Sequence, residues 1–298
     1  MKTDEMGGAA AVIIGAALWG IIGFFSRSLN AVGLDSIQVT FIRCFLTAAV
    51  LLAVLFVLDR DRLRIDPRDI WMFLGTGILS IVFFNICYFT TLRDLSISMA
   101  TILLYTAPCM VMVMSVLIFK EKLTRSKVLA LVSAFIGCMF VTGIIGGIGD
   151  ISAIGILLGL GSGFGYALYS IFGKFAGRKY HASTVTVYTF LIAALCLFPF
   201  CGFGDIVSLA VSDTSVLINM LALGILVTLI PYFLYTYGLE HMDAGKASVL
   251  AFVEPMVATL MGVVYYHEPM TVISAAGIGL ILLSVILLNR REHGSASE

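Results

Sequence analysis

The feature that most constrains this chain is an internal repeat. When the sequence is shifted by 147 positions against itself, its two halves align without a gap. A period of this length indicates one duplicated unit rather than a solenoid, whose repeats have roughly 20–50 residues. The matching pairs are Gly77 and Gly224, Tyr88 and Tyr235, Leu92 and Leu239, Ala100 and Ala247, Leu103 and Leu250, Pro108 and Pro255, Met114 and Met261, Glu121 and Glu268, and Thr124 and Thr271.

The duplicated unit is strongly apolar. Hydrophobic residues make up 60% of the chain and charged residues only 12%, and the mean hydropathy is +1.06. A soluble domain has about 25% charged residues, so this surface cannot all face water. The net charge of zero offers no basic face for nucleic acid. The composition therefore predicts a protein that lies in a lipid bilayer.

The apolar runs predict an all-α integral membrane fold. A helix needs about 20 apolar residues to cross a bilayer. Ten runs meet this length, at 7–29, 36–58, 70–92, 97–119, 125–144, 153–175, 183–203, 215–238, 246–266 and 272–289. The longer connections are 59–69, 143–153 and 204–215.

The number of spans in each half predicts their relative orientation. Five spans lie in each repeat, at 7–144 and 153–290, and an odd number turns the second copy upside down. Two inverted five-helix repeats around a central cavity are typical of secondary transporters.

Basic residues predict the orientation in the membrane. With the N-terminus inside, fifteen of the 18 Lys and Arg residues fall on the inner side. The outer half keeps only Arg27, Arg43 and Arg93. Because cytoplasmic loops carry the excess of Lys and Arg, we expect a multi-pass protein of the cell membrane with both termini in the cytoplasm.

The chain lacks the usual signatures of catalysis. Its six cysteines lie in or at the ends of apolar runs, without metal-ligand or disulfide spacing. The histidines lie in predicted loops or at the C-terminus, and no nucleotide-binding or hydrolase motif is present. We therefore expect no catalytic residue, no metal and no cofactor, and a transporter rather than an enzyme.

Two prolines occupy the same depth in the two halves. Pro108 lies within predicted helix 4 and Pro255 within predicted helix 9. Each removes one backbone hydrogen bond and frees the carbonyl group four residues earlier, at Leu104 and Ala251. A freed carbonyl group in hydrocarbon needs a protein or water partner. A kink without further role is one reading, and a site where the repeats meet is the other.

Aromatic and amide side chains gather at a similar depth. Tyrosine or tryptophan at the end of a span would belong to the interfacial belt, but these lie several residues inside. The predicted cavity residues are Trp19, Asn85, Tyr88, Tyr105, Tyr166, Tyr169, Tyr232 and Tyr235. Hydrogen bonds between helices would explain the hydroxyl groups equally well. As a set they favour a pocket for an amphipathic or aromatic solute.

Two charges lie inside predicted spans. Arg43 is about seven residues into helix 2, and Glu254 is near the centre of helix 9. Ionisable groups at such depth are costly, and they are candidates for function. Structural readings remain open, namely a tether or snorkelling for Arg43 and a protonated, hydrogen-bonded carboxyl for Glu254. Neither is duplicated, since Phe190 and Ala107 stand at the equivalent positions, and this favours a role in binding or coupling.

Glu121 and Glu268 end helices 4 and 9. In an inverted repeat they lie on opposite faces of the membrane. A carboxylate opposes the dipole at its own helix C-terminus, so each needs a specific partner. We expect these two residues to be structural and to cap a neighbouring helix.

Together these motifs resemble the drug/metabolite transporter superfamily, specifically its EamA-type family. The resemblance covers nearly the whole chain. It depends on Ala-Leu-Trp-Gly at Trp19, Phe-Ile-Arg-Cys-Phe at Arg43, Thr-Ala-Pro at Pro108, Phe-Lys-Glu-Lys-Leu-Thr at Glu121, Val-Glu-Pro at Glu254, and Tyr-Tyr-His-Glu-Pro at Glu268. It implies a cavity lined by helices 1, 3, 4, 6, 8 and 9, with helices 5 and 10 at the periphery.

The resemblance implies the export of amino acids and related metabolites. We therefore predict a secondary transporter that exports a small amphipathic solute by alternating access. Proton coupling remains open, and so does the choice between a monomer and a homodimer. An exchanger of sugar-linked or phosphorylated metabolites is the alternative within transport, although it would need several deep cationic residues. A receptor or scaffold that does not transport is the alternative from another class.

Overall fold

The computed structural model describes residues 2–143 and 152–289. Within these ranges the chain is helical and contains no β-strand. Most of the predicted connection 143–153 lies outside the described residues. The main helices are α1 (Lys2–Gly20 and Ile22–Ala31), α2 (Ser36–Leu58), α3 (Ile70–Leu74, Gly75–Val82 and Phe83–Asp94), α4 (Ile97–Leu104 and Ala107–Phe119), α5 (Arg125–Val141), α6 (Ala153–Gly177), α7 (Ala182–Leu197), α8 (Thr214–Leu221, Ala222–Leu229 and Ile230–His241), α9 (Ala244–Leu250 and Val253–Tyr266) and α10 (Val272–Asn289).

The helices fit a membrane protein by length and composition. Among the described residues, eight helices are long and apolar enough to cross a bilayer. The other two main helices, α5 with 17 residues and α10 with 18, lie at the lower limit of a spanning length. Large apolar side chains on the outside of the bundle are exposed, such as Val57 and Leu58, each 78% exposed. The all-α membrane fold is confirmed, and its outer face is suited to lipid.

The two halves are inverted relative to each other, as the packing of α5 against α10 shows. Ser126 Oγ donates to the Leu287 carbonyl group at 2.8 Å, and Ser133 Oγ donates to that of Leu280 at 2.9 Å. The later donor on α5 is thus bonded to the earlier acceptor on α10. These equivalent helices of the two repeats are therefore antiparallel.

Two further pairs of equivalent helices are antiparallel in the same way. In α2 and the end of α7, the rings of Phe41 and Phe198 lie 6.1 Å apart, whereas Leu51 packs in one cluster with Val187 near the start of α7. In α4 and α9, Met112 lies against Gly245 near the start of α9, whereas the earlier Tyr105 lies 5.7 Å from the ring of the later Phe252. The expectation of inverted repeats is thereby confirmed.

Polar residues at fixed places begin several helices. Asp35 and Gln38 form a reciprocal capping box at the start of α2, with hydrogen bonds of 2.8 and 2.9 Å. Thr124 accepts from Lys127 N at the start of α5, and Thr271 accepts from Ser274 N at the start of α10. The duplicated threonine therefore has the same local role in both repeats, because it satisfies an otherwise unpaired N–H of the first turn.

The duplicated prolines interrupt their helices. α4 has a break between Leu104 and Ala107 just before Pro108, and α9 has one between Leu250 and Val253 just before Pro255. A side chain at Gly163 of α6 would lie 3.1 Å from the Leu104 carbonyl oxygen. The carbonyl group freed by Pro108 therefore faces the bundle interior.

Three local features differ from the sequence-based expectations. α3 and α8 each contain a π-helical segment, Gly75–Val82 and Ala222–Leu229, and these segments are repeat equivalents that hydropathy does not reveal. α7 ends at Leu197 rather than near residue 203. The region 204–215 is largely the helix Phe203–Ser212 instead of an open connection, because its apolar residues Ile206 and Leu209 recur at helical spacing and pack inward.

Candidate transport cavity

One cavity of about 260 Å³ lies among α1, α2, α3, α4, α6, α8 and α9. Its lining reaches Asn30 and Ser36, which flank the connection between α1 and α2. We call this the cavity end of the bundle, and the opposite end, where α4 joins α5 and α8 joins α9, the sealed end. The lining residues are Trp19, Ile22, Gly23, Ser26, Asn30, Ser36, Val39, Thr40, Arg43, Phe84, Asn85, Tyr88, Phe89, Thr101, Leu104, Tyr105, Tyr166, Tyr232 and Glu254.

The cavity brings together most of the predicted site residues. Those that line it are Trp19, Asn85, Tyr88, Tyr105, Tyr166, Tyr232, Arg43 and Glu254. Tyr169 and Tyr235 do not line it, being 2% and 4% exposed behind its floor. Their hydroxyl groups bond neighbouring helices instead, Tyr169 to Thr236 and Tyr235 to Ser170, each at 2.8 Å. These two tyrosines therefore support the cavity without facing it.

Trp19 and Tyr232 form the floor of the cavity, and further rings pack behind them. The ring of Trp19 lies 4.8 Å from that of Tyr232 and 5.3 Å from that of Tyr235. Tyr169 continues the cluster, with its ring 5.0 Å from Tyr232. Edge-to-face packing of this kind stabilises a rigid aromatic layer. This layer separates the cavity from the sealed end.

Trp19 also brings an unused hydrogen-bond donor to the cavity wall. Its side chain is 4% exposed, and its Nε1 atom is buried without a hydrogen-bond partner among the described residues. A buried polar atom without a partner costs free energy unless water or a ligand satisfies it. The indole N–H is therefore a donor that the described residues leave unsatisfied beside the cavity.

Arg43 is held on the wall by α8. Its Nε atom donates to Thr228 Oγ1 at 3.1 Å. Thr228 lies in the π-helical segment of α8, and its hydroxyl group donates in turn to the Leu223 carbonyl group five residues earlier. The segment thus positions the guanidinium group deep in the cavity rather than letting it extend towards the membrane surface.

Glu254 lies on α9 and is contacted by Tyr166 of α6. The Tyr166 hydroxyl group donates to Glu254 Oε2 at 3.4 Å, and Tyr105 lines the same cavity. The backbone beside it is tightly packed, since a side chain at Gly20 of α1 would lie 2.7 Å from the Glu254 carbonyl oxygen. Glycine at this position allows α1 to approach α9 closely.

A polar wall faces these charges from α2, α3 and α4. Asn85 Nδ2 donates to the Ile81 carbonyl group in the π-helical segment of α3, at 2.7 Å. Thr40 Oγ1 lies 3.4 Å from Asn85 Oδ1, and the hydroxyl groups of Tyr88 and Thr101 lie 3.3 Å apart. The long contacts of Thr40 and Tyr88, at 3.4 and 3.3 Å, can be exchanged for hydrogen bonds to a solute.

Sequence reasoning singled out Arg43 but missed the polar rim, including Ser36 and Thr40 of the same helix α2. Ser36, Thr40 and Arg43 follow one face of α2 at spacings of four and three residues, which was the available signal. Ser26 and Asn30 continue the Trp19 face of α1 in the same way. The expected set of lining helices therefore gains α2, whereas α5 and α10 contribute no lining residue.

The remaining predicted residues lie away from the cavity. Pro108 and Pro255 are buried near the helix breaks described above. Glu121 caps the N-terminus of α9, where Ala244 N and Gly245 N donate to its carboxylate at 2.9 and 3.3 Å. Glu268 is exposed at the cavity end.

Comparison with known proteins identifies the family. Residues 6–143 and 153–290 each match the EamA-like transporter family. The chain belongs to the EamA-like transporter family. The two EamA matches coincide with the two halves of the internal repeat, and the residues 144–152 between them carry no match.

Relatives agree with this membership. An uncharacterised transporter of Archaeoglobus fulgidus is 30% identical over 282 residues, which cover 94% of this chain and 95% of the relative. The threonine/homoserine exporter RhtA of Escherichia coli is 27% identical over 246 residues, covering 82% of this chain and 78% of the exporter. A crystal structure 20% identical in sequence superposes with a TM-score of 0.79 over 95% of this chain and 96% of the other, which shows the shared fold. This EamA protein is therefore a multi-pass membrane transporter.

Proposed function

We propose that this EamA transporter exports an amino acid or a related small amphipathic solute by alternating access. The observation that carries the proposal is the coexistence of Arg43 and Glu254 in one cavity between inverted repeats. Charges inside a membrane protein mark pathways for solutes or ions. A cavity that reaches one end only is what alternating access requires of each state.

The two charges match the two ends of an amino acid. The guanidinium group of Arg43 suits the carboxylate of the solute, because it has N–H donors beyond Nε. The carboxylate of Glu254 suits its ammonium group, and Tyr166 supports that carboxylate. Trp19, Phe84 and Tyr88 supply an apolar and aromatic surface for a side chain.

The similarity to RhtA supports this class of solute. That protein is named a threonine/homoserine exporter, and it aligns with 82% of this chain. Small polar amino acids are therefore the first solutes to test. Whether Glu254 binds the solute ammonium or carries a coupled proton is decided by varying the proton gradient and the solute separately.

The alternative within transport is an exchanger of phosphorylated or sugar-linked metabolites. A doubly charged phosphate would favour several cations, whereas Arg43 is the only Lys or Arg among the cavity-lining residues. Glu254 would also repel a phosphate. The cavity therefore favours a zwitterion over an anion.

The test is transport by purified protein in proteoliposomes. Vesicles are loaded with unlabelled solute, and exchange of labelled threonine, homoserine and other amino acids is followed, with a sugar phosphate as a competing class. We expect saturable exchange of one or more amino acids that Glu254→Gln sharply reduces. Exchange of the sugar phosphate alone would support the alternative, and a folded protein that moves no solute would favour the receptor or scaffold.

A further inference from the structure

A single carboxylate joins three helices at the sealed end. Glu121 of α4 accepts hydrogen bonds from Ala244 N and Gly245 N at the start of α9. Lys174 Nζ of α6 lies 3.4 Å from Glu121 Oε1 and also donates to the Met242 carbonyl group. The Glu121 side chain is only 6% exposed. An anion at a helix N-terminus is stabilised further by a cation beside it, here a lysine whose side chain is 14% exposed, so this sealed-end latch holds α4, α6 and α9 together.

The repeat places the same three parts at the cavity end. Residues that lie 147 positions apart are equivalent in the two repeats. They are Glu121 and Glu268, Lys174 and Arg27, Ala244 and Ile97, and Gly245 and Ser98. In each set a carboxylate follows the C-terminus of one helix and a cation lies on a second helix. The third part is the N-terminus of another helix, whose backbone N–H groups can donate to the carboxylate. The acidic residue and the basic residue are thus both retained in the second set.

The turns that carry the two carboxylates are alike. Lys120 and His267, one residue before Glu121 and Glu268, have φ angles of 55° and 56°. They are the non-glycine residues with positive φ among the described residues. Left-handed backbone is costly for such residues, so its presence at equivalent positions indicates a retained turn. Both turns therefore present a carboxylate in the same way.

The contacts made by these carboxylates differ in this state. Glu268 is exposed, and its Oε2 atom lies over Gly262 of its own helix rather than at the start of α4. The Arg27 guanidinium lies 4.8 Å from the ring centre of Tyr266, two residues before Glu268. The start of α4 is capped by the hydroxyl group of Ser96 instead. All three parts are therefore present near the cavity mouth, but they are not joined.

We propose that Arg27, Glu268 and the N-terminus of α4 form a cavity-end latch that closes the cavity in the opposite state of the transport cycle. Glu268 then accepts hydrogen bonds from the backbone N–H groups of Ile97 and Ser98 and pairs with Arg27, while the sealed-end latch opens. This inference rests on the proposed alternating-access function. It assigns specific gating residues that lie outside the solute cavity.

The packing at the two ends is compatible with this exchange. At the sealed end Gly245 lies against Ser115, with a Cβ position 3.2 Å from its hydroxyl oxygen. At the cavity end the equivalents are Ser98 and Gly262, so one partner of the contact is again glycine. A close approach of α4 to α9 is thereby possible at either end.

One ion pair is present only at the sealed end. Lys127 Nζ lies 2.6 Å from Asp243 Oδ2, whereas their equivalents are the neutral residues Ser274 and Ser96. The cavity-end latch therefore has one ionic contact fewer. We expect it to be the weaker of the two, which agrees with the cavity end being open here.

The test measures how accessible the cavity is to a thiol reagent. Ser26→Cys places a reporter on the cavity lining, and the protein with only its native cysteines gives the background rate. Glu121→Gln weakens the sealed-end latch, and we expect labelling of residue 26 from the cavity end to fall roughly tenfold, the effect of one lost charge-assisted hydrogen bond. Adding Glu268→Gln or Arg27→Gln should restore the labelling rate, because the closed alternative is weakened too.

Matched controls use charges at the same end that lie outside the latch. Arg93→Gln and Asp94→Asn remove an exposed cation and an exposed anion near the start of α4. We expect neither to restore labelling in the Glu121→Gln protein. Equal restoration by these controls would show a general charge effect and overturn the latch.

A second measurement does not need the Glu121 variant to fold. Ser98→Cys replaces a half-buried serine whose hydroxyl group donates to the Thr142 carbonyl group at 2.6 Å, and Glu268→Cys replaces an exposed carboxylate. We expect a mild oxidant to cross-link this pair and to stop labelling of a cysteine at residue 26. Suppose that the parent protein exchanges solute, but no cross-link forms and Glu268→Gln does not change the labelling rate. The proposed latch is then wrong, although the transport proposal stands. If exchange is absent while labelling follows the latch variants, the transport proposal fails instead.

Discussion

The Tyr166 hydroxyl group lies 3.4 Å from Glu254 Oε2 and links α6 to α9 across the cavity wall. Both residues belong to the second repeat, and Glu254 directly follows the break in α9 between Leu250 and Val253. A carboxyl group at such a break can change partners when the helix moves. Glu254 is therefore the residue through which solute or proton binding can bias the conformation.

The first prediction concerns Glu254. Glu254→Gln keeps the shape and the contact with Tyr166 but cannot ionise, so it can neither pair with an ammonium group nor release a proton. We expect transport of a cationic or zwitterionic solute to fall about tenfold or more, as for a lost charge-assisted contact. Initial rates in proteoliposomes with and without a pH gradient measure this effect. Unchanged rate, affinity and pH dependence would show that the carboxyl group is structural.

The second prediction concerns the cavity surface. Trp19→Ala, Asn85→Ala and Tyr88→Ala remove lining side chains, and we expect each to lower transport more than it lowers folded yield. Leu131→Ala and Ile278→Ala on α5 and α10 are the controls, since these helices contribute no lining residue. Transport rate divided by the amount of monodisperse protein separates the two effects. Equal losses in both groups would indicate reduced stability alone.

The third prediction concerns the contact between α5 and α10. A side chain at Gly137 would lie 2.7 Å from the Gly277 carbonyl oxygen and 2.9 Å from Ile281 Cγ1. Gly137→Ala therefore forces the helices apart, and we expect it to lower the free energy of unfolding by about 1–3 kcal/mol. Gly279→Ala on α10 is the matched control, because nothing lies within 4 Å of its Cβ position. Thermal unfolding in detergent compares them, and equal melting temperatures would contradict the close contact.

The fourth prediction concerns topology. Because basic residues are concentrated on one side, we expect Arg62→Cys and Arg178→Cys to react only with reagent added from the cytoplasm. Asp213→Cys should react only from outside. An impermeant thiol reagent applied to intact cells and to inverted vesicles makes the measurement. Labelling of positions 62 and 178 from opposite sides would refute the proposed orientation.

The helical architecture could be predicted from the sequence, because the length of the apolar runs and the gapless repeat can be read from the chain itself. It did not reveal the π-helical segments at Gly75–Val82 and Ala222–Leu229, because their extra turn residues depend on contacts with α7 and α2. The helix Phe203–Ser212 was missed because its Gly and Asp residues resemble those of a loop. Helix lengths were therefore more predictable than local helix geometry.

The sequence predicted the depth of the site residues along their helices but not which of them face the cavity. Tyr166 and Tyr169 lie three residues apart on α6, and so do Tyr232 and Tyr235 on α8, yet only the first of each pair lines the cavity. Residues at this spacing differ by about 60° around a helix of 3.6 residues per turn. Which of them faces the solute depends on the neighbouring helices, and this information lies in the packing rather than in the sequence pattern.

The most direct test of the central claim is amino-acid exchange across a membrane by the purified protein. Proteoliposomes preloaded with unlabelled threonine are diluted into labelled threonine, with empty liposomes and the Trp19→Ala protein as controls, and other amino acids are substituted in turn. We predict saturable accumulation of at least one amino acid by the parent protein, and little by either control. Accumulation no greater than in empty liposomes for every amino acid, with folded protein verified in the same vesicles, would contradict the proposed function.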